Sequence, residues 1–278
     1  MRIRLVDAFT DRPFAGNPAG VLLLDRPDSR SGFPDDAWLQ NVAMEMNQAE
    51  TAFLHPLPDG GDADWALRWF TPATEVNLCG HATLAAAHVL QTTGAHRGPV
   101  RFASRSGVLT AVPSEDGWIT LDFPTAPLTP AKAPEGLAEA LGTEPLTVLD
   151  TGPNLGDLLV EVADERTLRG LTPAFDALAR CSDRGVVATC RPDDPAAGYD
   201  FVSRGFFPGV GIDEDPVTGS AHTALAPFWS GRLGPTALTG LQASARSGLV
   251  RTELRGDRTL LTGRAVTVVE GDLLASPR

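Results

Sequence analysis

Apolar and polar positions alternate in short runs along most of the chain, the pattern of strands that bury one face. In the first half, residues 3–8, 20–24, 51–55, 65–70, 100–103, 108–112 and 118–123 read as strands bounded by Gly, Pro, Asp or Ser. The second half offers 147–150, 157–162, 185–189, 199–207, 241–245, 249–254, 259–262 and 265–269. Helical spacing is rarer. After the acidic start Pro34-Asp35-Asp36, the positions Trp38, Leu39, Val42 and Met46 recur at i, i+3/i+4,. Two further helices, 80–90 and 219–229, are Ala-rich and apolar nearly all round. A surface helix would show a polar face, so each belongs inside a core.

These two helices also align with each other. Gly80-His81-Ala82-Thr83-Leu84-Ala85 and Gly219-Ser220-Ala221-His222-Thr223-Ala224 lie 139 residues apart, half of the 278. Upstream of each is an aromatic strand (Arg68-Trp69-Phe70 and Gly205-Phe206-Phe207), then a proline, then an acid, Glu75 or Glu214. Asn17-Pro18-Ala19-Gly20 and Asn154-Leu155-Gly156-Asp157 repeat at nearly the same offset. Three ordered matches indicate duplication. The expected fold is α+β, with two pseudo-symmetric domains, each a barrel-like, mostly antiparallel sheet around a central buried helix. The prolines at 124, 127 and 130 suit a linker,, which gives domains 1–124 and 125–278, with the last strand able to return to the first.

Composition narrows the function. Lys+Arg 23 against Asp+Glu 35 leaves a net charge of -12, which disfavours nucleic acid and anionic membrane as partners. Three cysteines without C-x-x-C spacing point to reduced thiols and a cytoplasmic protein, not to a disulfide framework or zinc site,. No apolar run approaches a membrane span. The phosphate-loop, dinucleotide, zincin and serine-hydrolase motifs are all absent,. What remains is acid–base chemistry without a cofactor or metal.

The helix starts supply a place for it. Each leaves about four backbone N–H groups without intrahelical partners, and glycine there admits a ligand's oxygens. If the domains face each other, Gly80 and Gly219, with Ser220, can hold a small carboxylate in one cleft without Arg or Lys. The plainer reading makes Thr218 and Ser220 ordinary caps. His81 stands in a first helical turn, either as a proton relay or as a satisfied structural residue. His88 is given the structural role. Asp215 precedes the second helix and can cap it or face the cleft. Ser220 and His222 are two apart and cannot form a nucleophile pair. Glu50, entering an apolar strand, is either a proton carrier or a solvated strand end.

At these residues the chain resembles the phenazine-biosynthesis PhzF-like isomerases, which share the diaminopimelate epimerase fold. The matching stretches are Val6-Asp7-Ala8-Phe9 with Phe14-Ala15-Gly16-Asn17-Pro18, Glu50-Thr51-Ala52-Phe53, Arg68-Trp69-Phe70-Thr71-Pro72, Cys79-Gly80-His81-Ala82 and Glu214-Asp215-Pro216-Val217-Thr218-Gly219-Ser220. The resemblance implies a cytosolic homodimer that acts on a small-molecule carboxylate and needs no metal or cofactor. It places the proton-shuttling glutamate at Glu50, the histidine at His81, the second acid at Asp215 and the serine at Ser220, with helix-start glycines at Gly80 and Gly219. Related racemases of this fold use two opposed cysteines. Cys79 has no cysteine counterpart between 215 and 220, which disfavours that chemistry. An amino-acid epimerase and a catalytically silent anion-binding protein remain as alternatives. The segment from Gln242 to Gly248 is also less glycine-rich than the resemblance leads one to expect.

Overall fold

The computed structural model describes residues 1–25 and 32–277. The chain forms two compact units, residues 1–122 with 262–278, and residues 123–261. The first half runs β1 (Arg2–Ala8), β2 (Asn17–Leu23), α1 (Asp36–Met46), β3 (Glu50–Pro56), β4 (Trp65–Phe70), β5 (Glu75–Val76), α2 (Gly80–Thr92), β6 (Val100–Ser104), β7 (Gly107–Pro113) and β8 (Ile119–Pro124). There follow β9 (Thr129–Pro130), α3 (Leu137–Leu141), β10 (Thr147–Asp150), β11 (Asp157–Glu161), α4 (Glu165–Gly170), α5 (Phe175–Leu178), β12 (Gly185–Cys190) and β13 (Phe201–Phe207). Last come β14 (Ile212–Asp215), α6 (Gly219–Leu233), β15 (Ala237–Gln242), β16 (Gly248–Arg255), β17 (Arg258–Gly263) and β18 (Ala265–Asp272).

The repeat read from the sequence is carried by the strand ladders. In the first unit β1 pairs antiparallel with β2, β2 runs parallel to β3, β3 antiparallel to β4, β4 antiparallel to β5 and parallel to β6, and β6 antiparallel to β7. The second unit reproduces this order with β10, β11, β12, β13, β14, β15 and β16. The strand on the far side of β1 is β18, and the strand on the far side of β10 is β9. The first unit thus takes its outermost strand from the far end of the sequence, whereas β9 directly precedes β10 within the second unit, and the Pro-rich 124–132 segment contains this strand rather than serving only as a linker.

Side-chain pattern explains the layering. α2 packs against β1, β2, β3, β7 and β18, so the sheet wraps it, and its residues from His81 to Ala87 are buried without a break. The opposite face of that sheet is closed by α1, where Leu39, Val42 and Ala43 meet Leu22, Phe53 and Phe70. In the second unit α6 lies against β11, β15 and β16, with Trp229 stacked on Phe201 at 6.1 Å. Pro227 inside α6 cannot donate to the carbonyl four residues back, and that carbonyl of Thr223 accepts from Ala126 N–H instead,.

α3, α4 and α5 were not anticipated. They are too short to show a 3.6-residue period, yet they place Leu137, Leu141, Leu168 and Leu178 over the outer face of the second sheet,. Continuous burial of β12 on both faces follows. A strand expected at 241–245 is corrected to β15, whose burial alternates from Leu238 to Gln242. Gly240 hides that alternation in the sequence. A Cβ there would stand 2.3 Å from Phe201 Cε2, so only glycine lets the strands close,.

Candidate active site

In the first unit, Glu50 opens β3 opposite Ala19 of the parallel strand β2, and His81 is the second residue of α2. Their side chains meet: His81 Nε2 lies 3.2 Å from Glu50 Oε2, with side-chain exposures of 7% and 14%. Glu50 is therefore no solvated strand end. Asn17, the first residue of β2, donates from Nδ2 to His81 Nδ1 at 3.2 Å. With Nδ1 accepting, a neutral ring carries its proton on Nε2, the nitrogen beside the carboxylate. That nitrogen is buried and forms no well-aligned hydrogen bond, with Glu50 Oε2 3.2 Å away. Cys79 Sγ lies 3.6 Å from Nδ1 on the other side.

The loop that delivers Asn17 is held under strain. Phe9 and Phe14 both adopt left-handed backbone, φ 60 and φ 65, a conformation costly for side chains of this size,. The buried Asp7 carboxylate accepts Phe14 N–H at 2.7 Å and offsets part of that cost. Gly16, at φ +66, has no alternative, since a Cβ would meet Ala8 O at 2.1 Å. The Phe-Ala-Gly-Asn stretch quoted from the sequence thus fixes where Asn17 supports the histidine.

In the second unit, Asp215 ends β14 and is buried. It does not cap α6 through a helix N–H; its Oδ2 accepts from the Thr218 hydroxyl. Thr218 occupies the cap position of α6 and Cys79 that of α2, and neither side chain makes a capping hydrogen bond. The reading of Thr218 as an ordinary cap is thereby corrected. Gly80 and Gly219 are the first residues of α2 and α6, and Ser220 follows Gly219 in the first turn.

Two contributors were missed from sequence. Gln242, at the end of β15, accepts Thr218 N–H at 2.8 Å and donates to Asp215 O at 2.8 Å, clamping the turn between the acid and the helix. Ser244 donates to Pro216 O at 2.7 Å in the same turn. The segment that departs from the glycine-rich expectation is what holds Asp215 and Thr218 in place. The second is Arg184, which donates from Nη2 to Ser220 Oγ at 3.2 Å. The expectation that this helix start works without Arg or Lys is corrected accordingly.

The other histidines fall out of the chemistry. His222 is fully buried, donates from Nδ1 to Thr218 O at 2.8 Å, and is pushed down to about 4 by desolvation. His88 meets Thr267 Oγ1 at 3.1 Å, and burial also lowers its pKa. Both roles are structural.

Among the described residues, Glu50, Cys79 and His81 form a group whose ligand atoms lie within 4.8 Å of one another. A thiol, an imidazole and a carboxylate so placed suit a zinc ion. No helix among the described residues is long and apolar enough to cross a membrane.

The family model described as phenazine biosynthesis-like protein matches residues 6–271. An uncharacterized isomerase of Halalkalibacterium halodurans is 47% identical over 276 residues, covering 98% of each chain. The crystal structure of a PhzF-family phenazine biosynthesis protein of Enterococcus faecalis superposes with a TM-score of 0.88 at 37% identity, covering 99% of each chain. A hydroxyproline epimerase of Agrobacterium vitis, at 18% identity and a TM-score of 0.60 over 98% of this chain and 91% of that one, shares the fold.

Proposed function

We propose that this chain, which belongs to the phenazine biosynthesis-like family, moves a proton within a small carboxylated metabolite by general acid–base catalysis. As an isomerase of that family it needs a group that removes a proton from carbon and returns it elsewhere on the same molecule. Glu50 is that group. Its carboxylate takes the proton and the C–H electron pair stays with the substrate as a delocalised carbanion. The resulting carboxylic acid then protonates a second carbon, so nothing is oxidised or reduced. The observation that carries this reading is the half-buried Glu50 carboxylate 3.2 Å from the His81 ring nitrogen. The Glu50 side chain keeps 14% exposure, so the proton it carries can exchange with solvent between removal and return, and His81 can donate to an oxygen on which charge develops,. In the first unit the first-turn N–H at Gly80 suits a carboxylate oxygen, and in the second unit those at Gly219 and Ser220 suit one likewise, where Asp215 can orient a polar substituent. The same reading carries a homodimer, which light scattering on the purified protein checks.

The test is deuterium wash-in from heavy water into a pool of small carboxylated metabolites, read by mass spectrometry. Mass shifts confined to one metabolite would name the substrate, and a pool unchanged by the active protein would remove the proposal. Prolonged dialysis against EDTA is expected to leave the exchange rate unchanged, because no step runs through a metal. Added zinc is expected to inhibit by occupying the Glu50, Cys79 and His81 donors.

A one-thiol epimerase is the second reading, favoured by Cys79 Sγ at 3.6 Å from His81 Nδ1. Cys79→Ala separates the two. On the carboxylate reading the variant keeps the wild-type exchange rate within about threefold, whereas a thiol that takes the proton would cost ~10²-fold or more when removed.

A further inference from the structure

The ladder registers show what the second unit has in place of the Glu50–His81 pair. In the first unit the parallel β2–β3 ladder sets Ala19 opposite Glu50, and the acid contacts the second residue of the following apolar helix. In the second unit the equivalent ladder sets Asp157 opposite Gly185. No side chain can stand at Gly185, since a Cβ would lie 2.2 Å from Phe206 O. The acid has moved to the partner strand, and Arg184 bridges the remaining distance. Arg184 Nη1 donates to Asp157 Oδ2 at 2.6 Å and Nη2 donates to Ser220 Oγ at 3.2 Å, Ser220 being the second residue of α6. The guanidinium also lies over the Phe207 ring at 4.7 Å, which holds its plane,.

We propose that Arg184 is a positioning residue that commits the Ser220 hydroxyl to donate toward an anionic oxygen of the substrate. A serine hydroxyl has one proton to give, and an arginine N–H already occupies an acceptor site on this oxygen. The proton must therefore be directed elsewhere, and among the described residues no protein acceptor takes it. The ligand atom that satisfies the group is an acceptor, and a carboxylate oxygen fits best because a cation stands immediately behind the hydroxyl. The Asp157 side chain is 0% exposed and Arg184 30% exposed, so the charge is anchored at its buried end and open at the other. Burial pushes Asp157 up to about 7 against the pull of Arg184. The inference rests on the carboxylated substrate proposed above, and it assigns carboxylate recognition at the start of α6 to a cation-backed hydroxyl.

A reporter thiol tests it without any substrate. In a Ser220→Cys protein, alkylation of the thiol at position 220 is followed across pH with iodoacetate and with iodoacetamide, the modified peptide being resolved from those of the native cysteines by mass spectrometry. Adding Arg184→Gln is expected to lower the iodoacetate-to-iodoacetamide rate ratio about tenfold and to shift the reactivity profile to higher pH. An unchanged ratio and profile would overturn the proposal. If Arg184→Gln does not unfold cooperatively, Arg184→Lys is measured instead. Lysine keeps the charge but cannot bridge Asp157 and Ser220 with a rigid fork, so an intermediate ratio supports the role and a ratio equal to that with Arg184 overturns it. Because no turnover is involved, this outcome is separate from that of the wash-in experiment: either can fail while the other stands.

Discussion

Glu50→Gln is expected to reduce deuterium wash-in by ~10²–10⁴-fold, the share that a positioned acid–base group supplies. The variant isolates proton transfer from structure. Glutamine matches the shape of glutamate, stands at the same first position of β3, and can still meet His81 Nε2 through its side-chain oxygen. The backbone pairing of Glu50 with Ala19 needs no carboxylate. The unfolding midpoint should consequently change little while exchange collapses. His81→Asn should cost less than Glu50→Gln, because the imidazole donates to developing charge while the carboxylate breaks the bond to carbon. Equal losses would show that the two act as one unit, as strongly coupled catalytic groups do. Wild-type exchange in Glu50→Gln would end the assignment of Glu50 as the base.

How much of this was legible in the sequence depends on how local each feature is. β4 and β10 stand where alternation placed them, and α2 and α6 start at the expected glycines, because burial of a strand face or a whole helix is written into consecutive residues. The duplication was legible for the same reason, and the acids noted after each aromatic strand have matching partners. Glu75 holds Arg68 and Glu214 holds Arg204, each through two hydrogen bonds of 2.7–2.9 Å, with each guanidinium over a phenylalanine two residues on. These pairs pin the short strands β5 and β14, a structural use that the spacing alone did not state. Gln242 and Arg184 were not legible. Gln242 acts on Thr218 across 24 residues and Arg184 on Ser220 across 36, and nothing in their own neighbourhoods distinguishes them from surface residues. Only the parallel ladders, which bring sequence-distant strands to one edge, make them part of the site. Aligning the two halves by ladder register rather than by sequence would have exposed the Glu50–Gly185 substitution and directed attention to Asp157.

Between pH 6.5 and pH 4, His222→Asn is expected to lose ~3 kcal/mol less stability than the wild type. In the folded protein His222 is completely buried and its pKa is pushed down to about 4 from 6.5. The unfolded chain therefore binds a proton over this window that the folded chain refuses, so stability rises with pH there and is lost as acid is added. Below about 4 both states are protonated and the contribution is flat. Burial shifts His55 and His88 in the same direction, which steepens the wild-type slope. Asp157 acts oppositely: its raised pKa, about 7, favours the folded state in acid and is lost as pH rises. These groups are present in both proteins and cancel in the difference, which leaves His222 alone. Asparagine can keep a donor near Nδ1 for Thr218 O, so its own cost at pH 7 should be confined to the packing lost against Phe201, whose ring centroid is 6.0 Å away,. Urea unfolding at several pH values gives the two slopes, at low protein concentration because the window spans the pI of about 4.8,. Parallel slopes would mean that the imidazole is protonated within the fold. Then the Thr218 turn, to which it is bonded and which also carries the Asp215 contact, would open before the rest of the second unit.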